Sequence, residues 1–393
     1  MDYLNKLDIF NLNISDIKTI IKKKIKKNLI VRGGGGSDNI IIINLNYEIP
    51  FVIKIIPIIK YYNYIVQPNN NLLEIDIYKK LTNEFIHKTP HIVYMYNKYT
   101  INDSSIILPE NCLTQDEKIK INNYDIDSDK EHLCLLKKYK DNNLLDNKLH
   151  ILILEYCYTN ISDYIEMFLK NYNKNDFIKI INRIIFQTIF TLAIIQEKYP
   201  NFIHNDLFLR NIMATIETNY NNNDYIQYNF NNKKYYFQAN GIYIKINDFN
   251  YSLGIVNKKE TLINDIKYST DTLFNRFEIN NPVRDVYTFL YDIYDGANFG
   301  SKSIKKIIHE NIDDKSLRKN IIKILKKQIK KYFDYKTVDN IKKINNDIDD
   351  IWNISDSNIL KNTVHKPKYY FDNNLFNDYT ILPNSSKIIR IFN

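Results

Sequence analysis

The chain of 393 residues is 44% hydrophobic and 25% charged, so it can bury an ordinary core, which argues against a disordered protein. Its net charge of +9 favours acidic partners such as nucleotide phosphates, nucleic acid or an anionic membrane surface. Cys112, Cys134 and Cys157 form no Cys-x-x-Cys pair, which argues against a zinc knuckle or a disulfide framework. Because the sequence shows neither a signal-peptide pattern nor a stretch of ~18 apolar residues, we expect a cytoplasmic protein with no transmembrane segment.

The first predicted elements are strands around a glycine-rich turn. Residues 28–56 read as strand, turn, strand and strand, with the sequences NLIV, RGGGGSDN, IIIINL and PFVIKII. An apolar pattern at helical spacing predicts a helix from Asn71. Two more strands are predicted at residues 91–99 and 149–156, and the Asn- and Lys-rich segment between them, about 100–147, is interpreted as an inserted loop.

The second half of the chain reads as mainly helical. Residues 176–198 predict a long and mostly buried helix. Residues 203–248 contain a loop followed by paired strands, and the chain from about Pro282 is helical and basic. The elements therefore change from mainly strand to mainly helix near the middle of the chain.

We expect an α+β fold of two lobes, preceded by a basic N-terminal extension over residues 1–27. Its lysine run is interpreted as a solvated helix face. The small lobe, residues 28–156, is predicted to hold an antiparallel sheet and one helix, with the insertion at about 100–147. The larger lobe, residues 157–393, is predicted to be mainly helical, with an inserted Asn- and Tyr-rich hairpin at about 217–240.

The strongest motif is FIHNDLFLRNIM, residues 202–213. His204 and Asp206 are followed by Asn211, five residues after the aspartate. A carboxylate near an attacking hydroxyl and oxygen ligands for Mg²⁺ are the groups that phosphoryl transfer requires. The alternative is a loop turn in which Asp206 caps a helix.

A second motif, IKINDFNYS at residues 244–252, ends a predicted strand with Asp248 and Phe249. Alone, Asp248 could be a turn residue at a strand end. Both motifs follow a glycine hairpin and an apolar strand that carries one lysine, Lys54. Because a lysine buried unpaired in such a strand costs several kcal/mol, Lys54 requires an anion such as an ATP phosphate or Glu74.

These motifs together resemble the eukaryotic-type protein-kinase superfamily over about residues 30–295, and they are most similar to kinase-like proteins of large DNA viruses. The resemblance implies a protein kinase that binds ATP and Mg²⁺ between two lobes. It implies that Asp206 is the catalytic base, and that Asn211 and Asp248 hold the metal. For a viral protein the expected location is the host cytoplasm or the virion.

The resemblance also implies roles for other residues. Lys54 matches the phosphate-binding lysine and Glu74 the glutamate that pairs with it, while Asp285 matches an aspartate that supports the catalytic-loop backbone. The residues that match the nucleotide-binding positions in the glycine-rich loop, the strands and the hinge are Gly33, Gly35, Ile40, Val52, Lys54, Glu155, Cys157 and Met213.

Several positions depart from the family pattern. Asp38 replaces the third glycine, Asn250 the glycine of the metal segment, and Asn205 the arginine that commonly follows the histidine. Phe208 stands where Ser/Thr kinases usually carry lysine, and Arg210 where some tyrosine kinases carry arginine. We nevertheless expect Ser/Thr specificity because it is more frequent in the family.

Three other functions stay open at this point. A pseudokinase or scaffold would account for the departures, although every base and metal residue is kept. A small-molecule kinase of the aminoglycoside or choline type shares the His, Asp and Asn spacing, but it would lack a segment like that around Asp285. A nucleic-acid-binding role would rest on the basic N-terminal stretch alone, so no sequence-specific nucleic acid is expected. The sequence identifies neither the protein substrate nor the oligomeric state.

Overall fold

The computed structural model describes residues 12–27, 31–32, 39–45, 49–59, 70–109, 112, 126–255, 282–294, 303–334 and 364–392, and the structural statements below concern these residues. The chain forms two compact units, and each is discontinuous in sequence. Unit 1 comprises Met1–Ile75 and Tyr94–Tyr156, whereas unit 2 comprises Asp76–Val93 and Cys157–Asn393.

Unit 1 is built on a five-stranded antiparallel sheet with the strand order β1-β2-β3-β5-β4. Its strands are β1 (Val31–Arg32), β2 (Ile40–Asn44), β3 (Phe51–Ile59), β4 (Met95–Ile101) and β5 (Leu145–Glu155). Isoleucine dominates β2 and β3, and its branched side chain favours the extended backbone.

Helix α1 (Ile14–Lys26) packs against the core of this sheet. Asn13 caps its first turn by accepting hydrogen bonds from the amides of Ser15 and Asp16. Ile17, Ile21 and Ile25 recur at helical spacing and are buried in the core of unit 1. The prediction of an extension outside the lobe was therefore wrong for this helix, because the lysines between the isoleucines concealed an apolar stripe.

The segment predicted as an inserted loop, about 100–147, contains a helix. Helix α3 (Ile126–Asp141) buries Leu133 and Leu136 in the same core as α1. A short 3₁₀ helix, Ser104–Ile107, also packs there. The loop interpretation was wrong because this helix has a narrow apolar face among many charged residues, so unit 1 has more than the one predicted helix.

Helix α2 (Asn70–Phe85) contributes residues to both units. The other helices described all lie in unit 2, and they are α4 (Ile161–Leu169), α5 (Lys174–Lys198), α6 (Arg284–Tyr294), α7 (Ile304–Asn311), α8 (Lys315–Ile329) and α9 (Pro367–Asp372). Among the described helices, α5 alone is long and apolar enough to cross a membrane. However, 78% of its most apolar stretch is buried inside the protein, which is typical of a core helix.

Unit 2 contains two three-stranded sheets, with the orders β10-β7-β6 and β11-β8-β9. Their strands are β6 (Thr159–Asn160), β7 (Ile212–Glu217), β8 (Asp224–Phe230), β9 (Lys233–Gln238), β10 (Gly241–Ile246) and β11 (Lys387–Phe392). Strands β8 and β9 form an antiparallel hairpin within the segment 217–240 where the sequence predicts one. Asn231 and Asn232 in its turn both have positive φ, as a two-residue hairpin turn requires.

The hairpin is part of the core of unit 2. Phe186 of helix α5 contacts the rings of Tyr228 and Phe237 from the two hairpin strands, with centroid distances of 5.3 Å and 4.5 Å. The same ring contacts Phe371 of α9 at 5.8 Å. Because aromatic side chains bury a large area, this cluster ties the hairpin firmly to the central helix.

Candidate functional site

Lys54 and Glu74 form a buried ion pair in unit 1. Lys54 lies in the middle of β3, and its Nζ donates to Glu74 Oε1 of helix α2 at 2.5 Å. Both side chains are buried, Glu74 completely. A buried ammonium needs an anion in contact, so the structure places these two predicted residues together. The pairing explains how an apolar strand accepts a lysine.

The strand register determines which side chains share a sheet face with Lys54. In β2 the cross-strand neighbour of Lys54 is Ile41 and that of Val52 is Ile43. Directly opposite residues project from the same face. Ile41 and Val52 are partly exposed and Ile43 is 40% exposed, so this face offers an apolar surface beside the ammonium group.

Ile40 lies on the other face of the sheet. Its cross-strand neighbour is Ile55, and both residues are fully buried in the core that α1 covers. The assignment of Ile40 to the nucleotide-binding set is therefore corrected. Ile43, which the sequence analysis missed, shares the face of Val52, because shifting a strand by one residue exchanges its two faces.

The predicted glycine-rich loop lies outside the described residues. Gly33, Gly35 and Asp38 belong to that segment, so their assignment stays a prediction. The described chain resumes at Asn39, directly before β2.

The predicted hinge coincides with the end of strand β5. The Glu155 amide donates to the Tyr94 carbonyl at 2.9 Å, and its carboxylate accepts a longer hydrogen bond from the Tyr94 amide, at 3.4 Å. Unit 1 ends at Tyr156, and Cys157 is a buried cysteine of unit 2. The backbone of Glu155 is thus fixed by the sheet at the point where the chain leaves unit 1.

The loop that carries Asp206 is held in place by Asp285 at the start of helix α6. The Asp285 carboxylate accepts hydrogen bonds from the amides of His204, at 2.6 Å, and Asn205, at 2.8 Å. Asn205 has a φ of +67°, a conformation that asparagine tolerates better than most residues. Burial raises the pKa of Asp285, while His204 and the two amides favour its charged form. The resemblance implied this supporting role for Asp285.

A second carboxylate supports the same loop and was missed by the sequence analysis. Asp292 of α6 accepts a hydrogen bond from the amide of Leu209 at 2.7 Å, and it is fully buried. It follows Asp285 by seven residues, which is two helical turns. Two acidic residues at this spacing on an otherwise apolar helix were the signal that could have identified it.

Within the loop, the Asp206 carboxylate is bound by its neighbours in sequence. Arg210 Nη2 lies 3.0 Å from Oδ1 and 3.2 Å from Oδ2, and Asn211 Nδ2 donates to Oδ2 at 2.7 Å. The same amide group donates to the Asp206 carbonyl at 2.8 Å. The Arg210 guanidinium also stacks over Phe208, 4.6 Å from the ring centroid. These contacts fix the direction of the carboxylate.

The antiparallel pair β7 and β10 brings Asn211 close to Asp248. Ile212 and Ile246 are directly opposite in the register, so the residues before β7 and after β10 meet at one end of the ladder. The Asn247 amide donates to the Asn211 carbonyl at 2.9 Å. The 36 residues between the two predicted metal ligands thus include strands β7 and β10, whose ends meet beside these ligands. Met213 lies in β7 and is partly exposed.

His204 links the loop to the segment around Asp248. Its Nε2 donates to the Asn247 carbonyl at 2.9 Å, and its ring lies 5.1 Å from that of Phe249. Complete burial lowers the pKa of His204 below its ordinary value of 6.5, although Asp285 and Asp248 oppose the shift. A neutral imidazole with one donor matches the single carbonyl that it contacts.

Asn211 and Asp248 form an oxygen donor pair suited to Mg²⁺. The nitrogen of the Asn211 amide faces two oxygens of Asp206, so its Oδ1 points away, and none of the described residues donates to it. Mg²⁺ is bound in proteins through one or two carboxylates and carbonyl oxygens, with water and phosphate completing its shell. The donor set therefore fits this ion. Within the described ranges, no cluster of three or more His, Cys, Asp and Glu side chains could hold a metal.

No protein-family profile matches the chain. A protein of Acanthamoeba polyphaga mimivirus named "putative serine/threonine-protein kinase" is 36% identical over 376 residues, which cover 92% of this chain and 91% of that protein. A second mimivirus protein with the same description is 29% identical over 201 residues, 49% of this chain and 40% of that protein. The crystal structure of a kinase domain aligns with 77% of this chain and 91% of its own, at 13% identity and a TM-score of 0.32, a similarity too low to support an inference. On the strength of the first relative, the chain belongs to the protein-kinase family, with the α+β kinase-like fold expected from its sequence, among the kinase-like proteins of large DNA viruses.

Proposed function

We propose that the protein is an ATP- and Mg²⁺-dependent protein kinase that transfers the γ-phosphate to a serine or threonine hydroxyl. The observation that carries the proposal is the group of Asp206, Asn211 and Asp248 in unit 2. A hydrogen bond of 2.7 Å joins Asp206 to Asn211, and one strand pair places Asn211 and Asp248 at the same end of its ladder. Phosphoryl transfer depends mainly on such positioning of charged and polar groups.

Each residue has a distinct role in this proposal. The Asp206 carboxylate accepts the proton of the acceptor hydroxyl, and Arg210 and Asn211 keep it in one orientation. Asn211 Oδ1 and the Asp248 carboxylate would hold Mg²⁺, which supplies positive charge to the phosphate oxygens when bound.

In unit 1, the Lys54 ammonium binds phosphate oxygens and Glu74 orients it. The apolar face of Val52 and Ile43 would cover the flat adenine ring. The ammonium and the apolar surface lie next to one another on β3, so both ends of a nucleotide have chemically matching groups in unit 1.

The Asp285 contacts favour a protein kinase over a small-molecule kinase. In this chain a buried helix begins with an aspartate that binds two amides of the catalytic loop. Kinases of the aminoglycoside or choline type were expected to lack such a segment. A pseudokinase is less well supported, because the base and both metal ligands are kept and are close together. The two relatives are named "putative serine/threonine-protein kinase", which supports the choice of acceptor hydroxyl.

Transfer from radiolabelled ATP to generic protein acceptors tests the proposal, and phosphoamino-acid analysis of the product tests the acceptor. We expect labelled serine or threonine, and only in the presence of Mg²⁺. Label on tyrosine alone would contradict the Ser/Thr assignment and would point to Arg210 as the residue that marks acceptor choice.

Calorimetry on Asp248→Asn separates a weak kinase from a pseudokinase. The wild type is expected to bind ATP more tightly with Mg²⁺ than without it, and the variant is expected to lose this difference, since an amide is a poorer Mg²⁺ ligand than a carboxylate. If the wild type binds ATP equally well in both conditions, the pseudokinase alternative is favoured.

A further inference from the structure

Asp248 has a backbone conformation that needs support from its surroundings. Its φ is +63°, in the left-handed region that costs an aspartate about 1 kcal/mol or more. Such a conformation persists only where neighbouring contacts favour it over the alternatives. The contacts around Asp248 therefore decide how firmly its carboxylate is presented.

The hydroxyl of Tyr78 makes two of these contacts at once. Tyr78 lies in α2 and is fully buried in unit 2. Its hydroxyl donates to Asn247 Oδ1 at 2.6 Å and accepts a hydrogen bond from the Asp248 amide at 3.1 Å. One oxygen atom thus binds the side chain of one residue and the backbone of the next.

The backbone groups of Asn247 are bound by the catalytic loop. Its amide donates to the Asn211 carbonyl at 2.9 Å, and its carbonyl accepts from His204 Nε2 at 2.9 Å. Tyr78 therefore binds the side chain of Asn247, whose backbone the catalytic loop holds, and links it to the amide of Asp248. Without the hydroxyl, the amide of Asp248 would lose the acceptor that holds this left-handed residue.

The Tyr78 ring makes a separate contact. Its edge-to-face packing against Phe249, with centroids 5.0 Å apart, depends on the ring alone. The hydroxyl and the ring can be tested apart, because phenylalanine keeps the ring and removes only the oxygen.

We propose that the Tyr78 hydroxyl is a positioning group that holds Asp248 in its metal-binding conformation. The role in metal binding rests on the proposed function of Asp248, whereas the hydrogen bond itself does not. Tyr78 acts through Asp248 and Asn247 and needs no contact with a substrate. The variant Tyr78→Phe isolates this role.

Hydrogen exchange on the nucleotide-free protein tests the hydrogen bond. We expect the Asp248 amide to exchange at least about tenfold faster in Tyr78→Phe than in the wild type, because it loses its acceptor. Tyr199→Phe is the matched control, since the Tyr199 hydroxyl also binds a residue of α2, Glu84, but lies outside the proposed site. Equal exchange of the Asp248 amide in Tyr78→Phe and the wild type would overturn the proposal.

Titration calorimetry with and without Mg²⁺ tests the consequence. Tyr78→Phe is expected to weaken Mg²⁺-dependent ATP binding about fivefold to tenfold and to leave Mg²⁺-free binding unchanged. Faster amide exchange with unaltered Mg²⁺ dependence would also overturn the positioning role. A wild type without Mg²⁺-dependent binding would refute the proposed function instead, and the exchange result would still decide the hydrogen bond.

Discussion

The two units hold their charged site residues in different ways. In unit 1, Lys54 and Glu74 are twenty residues apart and meet through one ion pair inside apolar packing. In unit 2, Asp206 is bound by Arg210 and Asn211, four and five residues away, on a loop whose backbone is bound by two buried carboxylates. Packing therefore places the first pair, whereas local hydrogen bonds place the second group.

This difference determines how each region responds to substitution. Removing one charge of an ion pair enclosed by apolar groups leaves the opposite charge buried without its counter-ion, which destabilises the fold. A carboxylate with several donors keeps most of its surroundings after a single change. We therefore expect changes in unit 1 to affect stability and activity together, and changes at Asp206 to affect activity alone.

The largest effect is expected for Asp206→Asn. Transfer should fall by at least about a thousandfold, because the amide cannot accept the proton of the acceptor hydroxyl. ATP affinity and the melting temperature should change little, since Arg210 and Asn211 hold the loop through other contacts as well. A phosphotransfer assay measures the first effect and calorimetry the second. Asp313→Asn, at an exposed position in the same unit, is the control. Turnover within tenfold of the wild type would refute the assignment of the base.

The next effect is expected for Lys54→Met. Activity should fall more than about a hundredfold, because the phosphates lose their cation. Stability should also fall by about 3 kcal/mol, because Glu74 is left buried without its cation. Urea unfolding measures the loss, and the double variant Lys54→Met/Glu74→Gln should recover most of it while remaining inactive.

Lys148→Met, at an exposed position on β5, is the control for loss of a lysine from the same sheet. If Lys54→Met were as stable as Lys148→Met, the buried ion pair would not contribute to the stability of unit 1 in the way proposed above.

The smallest effect concerns the pH dependence of stability and tests two buried histidines of unit 2. Complete burial lowers the pKa of His91 well below 6.5 and also lowers that of His204. Below about pH 6.5 these histidines become protonated in the unfolded chain but stay neutral in the folded protein. Stability that is present above that pH is therefore lost as the pH falls. Each histidine should contribute up to about 1.4 kcal/mol per pH unit.

Urea unfolding between about pH 7 and about pH 5 measures this slope. His91→Gln should reduce it by the share of one histidine, since glutamine does not titrate. His309→Gln, at an exposed position, should leave it unchanged. An identical slope in all three proteins would show that the burial of His91 has no effect on acid stability.

The way in which each unit holds its site residues also determines which of them could be predicted from the sequence. The Asp206 loop was predictable because its members are close in sequence, and their spacing directly determines their contacts. Asp248 was predictable because a strand end follows from its apolar run. The ion pair of Lys54 was predictable in kind, since a lysine in an apolar strand needs an anion.

Other features could not be predicted because they depend on strand pairing and on packing between residues that are distant in sequence. Ile40 was misplaced because the pairing of β2 with β3 and the packing on α1 determine which face of the sheet it occupies, and a shift of one residue exchanges the two faces. The apolar stripe of α1 was hidden by the lysines between its isoleucines, and α3 was missed because its few apolar residues lie among many charged ones. Tyr78 carried no signal, because its hydroxyl meets residues about 170 positions away.

The parallel pairing of β11 with β8 bears on how the protein folds during synthesis. The two strands pair although roughly 160 residues separate them in the chain. Until β11 leaves the ribosome, β8 must expose an open edge beside the aromatic side chains of the hairpin. Open edges of this kind promote association between chains. We therefore expect unit 2 to reach its native state only after β11 has been synthesised, and to depend on chaperones more than a domain that completes its sheets locally.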